Sequence, residues 1–185
     1  MAMDDEFERL VAGLGDEISA EPAQPPGLAL VVTPVASASA LAGLCAMSGL
    51  SCKVLPTHTG AVAAIALAAV DDPFAALTNA VPAEADELAG ALSRLTHLEV
   101  VLVVARLSTA EEGPTGQLTA HRYAAGERAG EVSPGLVLSS VDAQVEDLLL
   151  GAVHLDEVTG VEDTSSIPRW KAARMFTRGL KKRKP

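Results

Sequence analysis

The chain has 185 residues and a mass of 19.0 kDa, one domain's worth of protein with room for short appendages. Hydrophobic residues make up 49% and charged residues 21%, so the chain is neither wholly disordered nor fibrous. The net charge of −10 is unevenly spread. Residues 1–165 hold all 24 acids against six bases, a balance of −18, whereas residues 166–185 hold eight bases and no acid. An acidic body repels nucleic acid and anionic lipid, so contact with either is expected of the +8 tail alone.

Taken in chain order, Phe7, Leu10, Val11 and Leu14 recur at helical spacing behind Asp4, Asp5 and Glu6. They predict an acidic amphipathic helix over 1–15, either packed on the body or docked on another protein. Residues 16–26, with three prolines and three acids, read as a linker. A single domain is expected over 27–151. It opens with Leu28–Thr33, an apolar run of strand length that suggests burial on both faces. Ser37 or Ser39 can cap a helix whose inner face is Leu41, Leu44, Cys45 and Ser48, closed by Gly49. Cys52–Leu55 predicts a second strand, Pro56–Gly60 a turn and Ala61–Ala69 a third strand. A helix is expected from Pro82 with Ala85, Leu88, Leu92 and Leu95 inward, followed by a strand over Leu98–Ala105.

Beyond that strand, Ser108–Gly116 reads as a polar loop, and Leu118–Ala124 and Val132–Leu138 as a hairpin about Gly126–Gly130. Ser139 or Ser140 then caps a helix with Val141, Val145, Leu148 and Leu149 inward, ended by Gly151. Residues 152–166 read as irregular and acidic, and 167–185 as a separate basic tail.

The order β-α-β-β-α-β, with two right-handed crossovers, predicts an α+β fold with a ferredoxin-like (split βαβ) antiparallel sheet. The fourth strand is too apolar for an exposed edge, so the hairpin is expected to cover it and extend the sheet, with a helix after it. The N- and C-terminal helices would be appendages. A small parallel α/β domain is the alternative, disfavoured because Pro56–Gly60 is too short for a crossover. Aromatics are only 3% while alanine fills 33 positions, so the core should be Ala, Val and Leu, with helices close to the sheet. The alanine excess also fits a GC-rich genome. Leu28–Thr33 and Ala61–Ala69 hold no aromatic residue, so the sheet face is not expected to stack bases.

Little chemistry is signalled. No GxSxG, GxxxxGK[ST] or GxGxxG occurs, and the serines near helix starts are accounted for as caps. His58, His97, His121 and His154 are too scattered to suggest a metal pair, and no cofactor is expected. Cys45 and Cys52, with no CxxC and no Cys/His cluster, read as buried or idle thiols of a reducing compartment, the other reading being a disulfide or redox pair. The acidic pairs Asp71-Asp72 and Glu111-Glu112 read as solvated loop residues. Met1–Glu6 is acidic where a secretory signal is basic, and the longest apolar run, Ala61–Val70, is half the length a membrane span needs. A soluble cytoplasmic protein is the expectation. His121, Arg122 and Tyr123 concentrate polar groups in apolar surroundings, but alternation would put Arg122 on the opposite face from the other two.

The tail carries the functional expectation. At about 100° per residue, with Trp170 at zero, Lys181, Arg174, Arg178, Lys171 and Lys182 fall within roughly 20–120°. Ala172, Phe176, Leu180, Ala173 and Trp170 fall within roughly 200–360°. Pro168 suits the first turn, and Lys181-Lys182-Arg183-Lys184 follows. Three uses fit such a helix: covering the protein's own acidic body, binding nucleic acid or a ribonucleoprotein, or lying on an anionic membrane surface. The expected function is therefore a non-enzymatic adaptor or regulatory protein. It would engage an anionic or protein partner through Arg169, Trp170, Lys171, Arg174, Phe176, Arg178, Leu180, Lys181, Lys182, Arg183 and Lys184. The alternative is a small-molecule-binding regulatory domain, or an enzyme, using the His121–Tyr123 region.

Overall fold

A computed structural model describes residues 24–70, 80–110 and 113–181. The expected helix over 1–15, most of the linker, Asp71-Asp72, Glu111-Glu112 and Lys182, Arg183 and Lys184 lie outside the described residues. The fold is mixed helix and strand around one antiparallel seven-stranded sheet. Its strands are β1 (Gly27–Thr33), β2 (Lys53–Pro56), β3 (Ala61–Leu67), β4 (Val100–Ala110), β5 (Gly113–Ala124), β6 (Glu127–Glu131) and β7 (Glu162–Asp163). In space they run β6-β5-β4-β1-β3-β2-β7. Every strand pairing is antiparallel. The helices are α1 (Ala38–Ser48), α2 (Ala83–Thr96), α3 (Pro134–Leu138), α4 (Ala143–Leu149) and α5 (Arg169–Lys181).

Alternation along the central strands sends side chains into two separate cores. Ala29, Val31, Ala61, Ala63, Leu102 and Val104 meet Leu41 and Cys45 of α1 and Ala85, Leu88 and Leu92 of α2. The small side chains on both sides of this interface let the helices lie close to the sheet. On the opposite face, Leu30, Val62, Ala64, Val103 and Ala105 are covered by Val137 of α3, by Val145, Leu148 and Leu149 of α4, and by Val158. A sheet buried on both faces explains why β1, β3 and β4 read as unbroken apolar runs. The chain therefore wraps its sheet. After β6 it crosses the second face, adds β7 beside β2, and returns to the first face with α5 packed on α1.

Several sequence expectations need correction. The polar residues Ser108–Ala110 and Gly113–Gly116 extend β4 and β5 instead of forming a loop, with Ala110 paired to Gly113. The hairpin's second strand is Glu127–Glu131, not Val132–Leu138. The turn is the two residues Ala125 and Gly126, both at positive φ (52° and 94°), which matches the twist of a hairpin. Being an exposed edge, β6 carries charges and gives no apolar signal. Pro134 instead opens α3, and Ser139 and Ser140 bond back to Leu136 O and Val137 O at its end. The N-cap position of α4 is Asp142. Leu95 is 38% exposed and lies off the inward stripe of α2. Residues 152–166 contain β7 and two 3-10 turns, Leu155–Glu157 and Thr164–Ser166.

Ser37 does cap α1, accepting Ala40 N–H at 3.3 Å. Pro56–Gly60 is the expected tight turn, with Thr57 N–H bonded to Gly60 O. Arg106, buried in β4, holds the end of the sheet by donating to Pro25 O and Ala68 O at 2.6 and 2.9 Å.

Candidate functional site

α5 follows Pro168 in the first-turn position and lies on the α1 side of the molecule. Its seat is made by a glycine. A Cβ on Gly43 of α1 would lie 2.6 Å from Ala172 O and 3.0 Å from Phe176 N, so the two helices touch through backbone. Ala172 is fully buried there, Met175 and Phe176 are half-buried, and Ile167 and Met175 join the first core. The docking face is therefore Ala172, Met175 and Phe176. This corrects the expected apolar arc: Trp170 is 70% exposed and Ala173 is also outside the seat.

The outward face gathers what is left. Trp170 and Arg174 are one turn apart, as are Arg174 and Arg178, so the three share one stripe. Arg169, Lys171, Arg174 and Arg178 are all exposed, and none makes an ion pair with a described residue. The helix that seats them, Ala38–Ser48, carries no charged side chain. Helix docking is thus apolar and backbone-driven, and the cations are not recruited by it. The side chains of Leu180 and Lys181 lie outside those described.

A second polar group joins α2 to the β5–β6 hairpin. Strand alternation does bury His121 and Tyr123 on one face and expose Arg122 on the other. The Tyr123 hydroxyl donates to Asp86 Oδ1 at 2.5 Å, and Arg128 Nη2 donates to the same oxygen at 2.8 Å. The hydrogen bond from Tyr123, then that from Arg128, holds the Asp86 carboxyl below its usual range. Burial and the bond to Asp86 push the Tyr123 phenol up to about 12. His121 is 6% exposed, its Nδ1 has no hydrogen-bond partner, and burial followed by the Arg128 charge pushes it down. Ser93 ties the same region together, donating to Gly90 O and accepting Gly126 N–H at 2.8 Å. Sequence reasoning found His121 and Tyr123 but missed Asp86 and Arg128, because only the fold brings α2 and the edge strand to them.

The remaining histidines have local roles. His58 lies in the β2–β3 turn, where its backbone N–H donates to Asp142 Oδ2 at 2.5 Å. His97 closes α2 in the left-handed region (φ 54°). His154 N–H donates to Glu157 Oε2 at 2.9 Å at the first 3-10 turn. Among the described residues, no group of three His, Cys, Asp or Glu side chains is placed to hold a metal ion. No described helix is long and apolar enough to cross a membrane.

A cleft of about 990 Å³ opens at the end of the sheet where β1 enters and β3 leaves, lined among others by Leu28, Cys52, Lys53, Leu88 and Asp156. Lys53 and Asp156 form an ion pair across its rim. A crevice of about 20 Å³ lies between Pro82, Val104, Arg106 and Thr119. His121 and Tyr123 line neither. No protein-family model matches the chain, and no curated protein and no solved structure matches it either.

Proposed function

We propose that the protein is a non-enzymatic cytoplasmic adaptor or regulatory protein that holds a single-stranded nucleic acid on the outer face of α5. The observation that carries this reading is Trp170, 70% exposed on a stripe with Arg174 and Arg178. Exposing an indole costs hydrophobic free energy, and cations unmatched by acids leave a local positive field on an acidic molecule. A phosphate backbone answers the charges and a splayed base answers the indole. In this reading the four strands β4-β1-β3-β2, with α1 and α2 on one face, form a ferredoxin-like unit. The β5–β6 hairpin, α3, α4 and β7 are additions that fix where α5 sits.

The membrane alternative has less support. An interfacial helix needs an apolar face to insert, and Ala172, Met175 and Phe176 already face α1. A small-molecule site at His121–Tyr123 has the unpartnered Nδ1 in its favour, but those residues line neither of the two clefts described. Buried free thiols at Cys45 and Cys52 agree with a reducing compartment.

Trp170 is the chain's single tryptophan, so its fluorescence reports directly on the face. Titration with a single-stranded oligonucleotide at low salt should quench it, and each phosphate contact should steepen the fall of log K with log salt by about 0.7. The double variant Arg174→Glu/Arg178→Glu should lose most of the affinity, and Trp170→Ala about 1–3 kcal/mol. Absence of quenching at low salt, or equal affinity of the double variant, overturns the reading. Binding to anionic vesicles but not to the oligonucleotide overturns it in favour of the membrane.

A further inference from the structure

Cys45 and Cys52 take no part in the α5 face, yet the fold brings them together. Cys45 occupies the last turn of α1, and Cys52 immediately precedes β2. The connection between them is folded back tightly, with Leu50 N–H bonded to Cys45 O at 2.9 Å. Cys52 is pinned from the other side by Thr164. Its backbone N–H donates to Thr164 Oγ1 at 2.8 Å, and that oxygen lies 3.9 Å from Cys52 Sγ. The two thiols are free and buried in the same core, where each shifts the other's titration. Cys45 is wholly buried, whereas Cys52 retains 6% of its surface and lines the cleft at the end of the sheet.

We propose that Cys45 and Cys52 are a redox modification site, in which a peroxide entering through the cleft converts the thiol pair to an intramolecular disulfide. Cys52 is the attacking sulfur because it alone reaches the cleft. The neighbourhood acts in the same direction: the Cys45 thiol is raised by Cys52 and further by burial, and that of Cys52 is lowered by Cys45. The Cys52 thiolate attacks one peroxide oxygen, the O–O bond breaks, and the leaving hydroxide takes a proton to become water. Cys52 is then a sulfenic acid. Cys45 sulfur attacks Cys52 Sγ, the S–O bond breaks, and hydroxide leaves with the Cys45 proton as a second water. Two thiols lose two electrons to one peroxide, which is reduced to two waters. A lone buried thiol would stop at the sulfenic acid, and the neighbouring sulfur is what completes the bond.

The test uses the full chain in native buffer and does not depend on the role of α5. Hydrogen peroxide should remove two hydrogens from the intact mass of the monomer and leave no thiol titratable after denaturation, and dithiothreitol should restore both. Cys45→Ser should stop at a sulfenic acid trapped by dimedone, and Cys52→Ser should leave Cys45 unreacted. Two intact thiols after a treatment that fully oxidises the denatured chain would overturn the proposal. So would disulfide-linked dimers as the main product, or dimedone capture at Cys45 in the Cys52→Ser chain.

Discussion

The Asp86–Tyr123–Arg128 group shows how much a single hydroxyl can hold. Tyr123 is 1% exposed, so its phenol depends on Asp86 for its hydrogen bond. Tyr123→Phe keeps the ring and removes the donor, and should lower stability by about 1–2 kcal/mol, read as a reduced urea midpoint. The same residue sets a high-pH limit. Its pKa is about 12 in the fold and 10 ordinarily, so the stability it adds is complete below pH 10 and is lost as pH rises toward 12. His121 acts at the other end. Its folded value is depressed below the ordinary 6.5, so the unfolded chain binds the proton more readily and stability falls as pH drops below 6.5. Arg128 opposes that proton, while Glu131 and Asp86 favour it. The urea midpoint should therefore decline between pH 7 and 5, and His121→Phe should flatten that decline. A midpoint unchanged over this range in the native chain would refute the assignment. Period-two alternation made the shared face of His121 and Tyr123 legible in the sequence. Their partners were not, because Asp86 comes from a helix and Arg128 from a polar edge strand.

At the scale of elements, what was legible followed apolar patterning. β1 and β3 could be placed because their unbroken apolar runs end at turn residues, α1 because Ser37 and Gly49 mark its ends, and α2 because its apolar stripe recurs at helical spacing. β6 and the polar ends of β4 and β5 could not, because they join the sheet by backbone pairing, which leaves no apolar pattern in the residues. The seat of α5 escaped for another reason: it is made by Gly43, whose missing side chain leaves no hydrophobic mark. That seat gives a prediction with a clear sign. Gly43 lies inside α1, where alanine would ordinarily add roughly 1 kcal/mol through helix propensity. Because a Cβ there would meet Ala172 O at 2.6 Å, Gly43→Ala should instead destabilise the protein and speed tryptic cleavage at Arg174 and Arg178. A stabilised, equally protease-resistant variant would show that α5 does not rest on α1.

At the scale of the whole molecule, the arrangement of charge predicts opposite responses to salt. Residues 1–165 carry a balance of −18, and the described cations of α5 are outward and unpaired, so they do little to neutralise the body that bears them. An acidic body compressed into one fold repels itself, and screening relieves that repulsion. The Debye length shrinks from about 30 Å at 0.01 M salt to about 8 Å at 0.15 M, less than the span of such a domain. The melting temperature should therefore rise between these two conditions, while affinity for an oligonucleotide falls. If the cations of α5 instead served the body through ion pairs, salt would weaken those pairs and the melting temperature would fall with affinity. Arg174→Glu/Arg178→Glu sharpens the contrast. Replacing two positive charges by two negative ones shifts the net charge by −4 and should steepen the stabilising effect of salt, while little binding signal is left for salt to erode. Measuring both responses on the same two chains separates a face kept for a partner from a face kept for the fold.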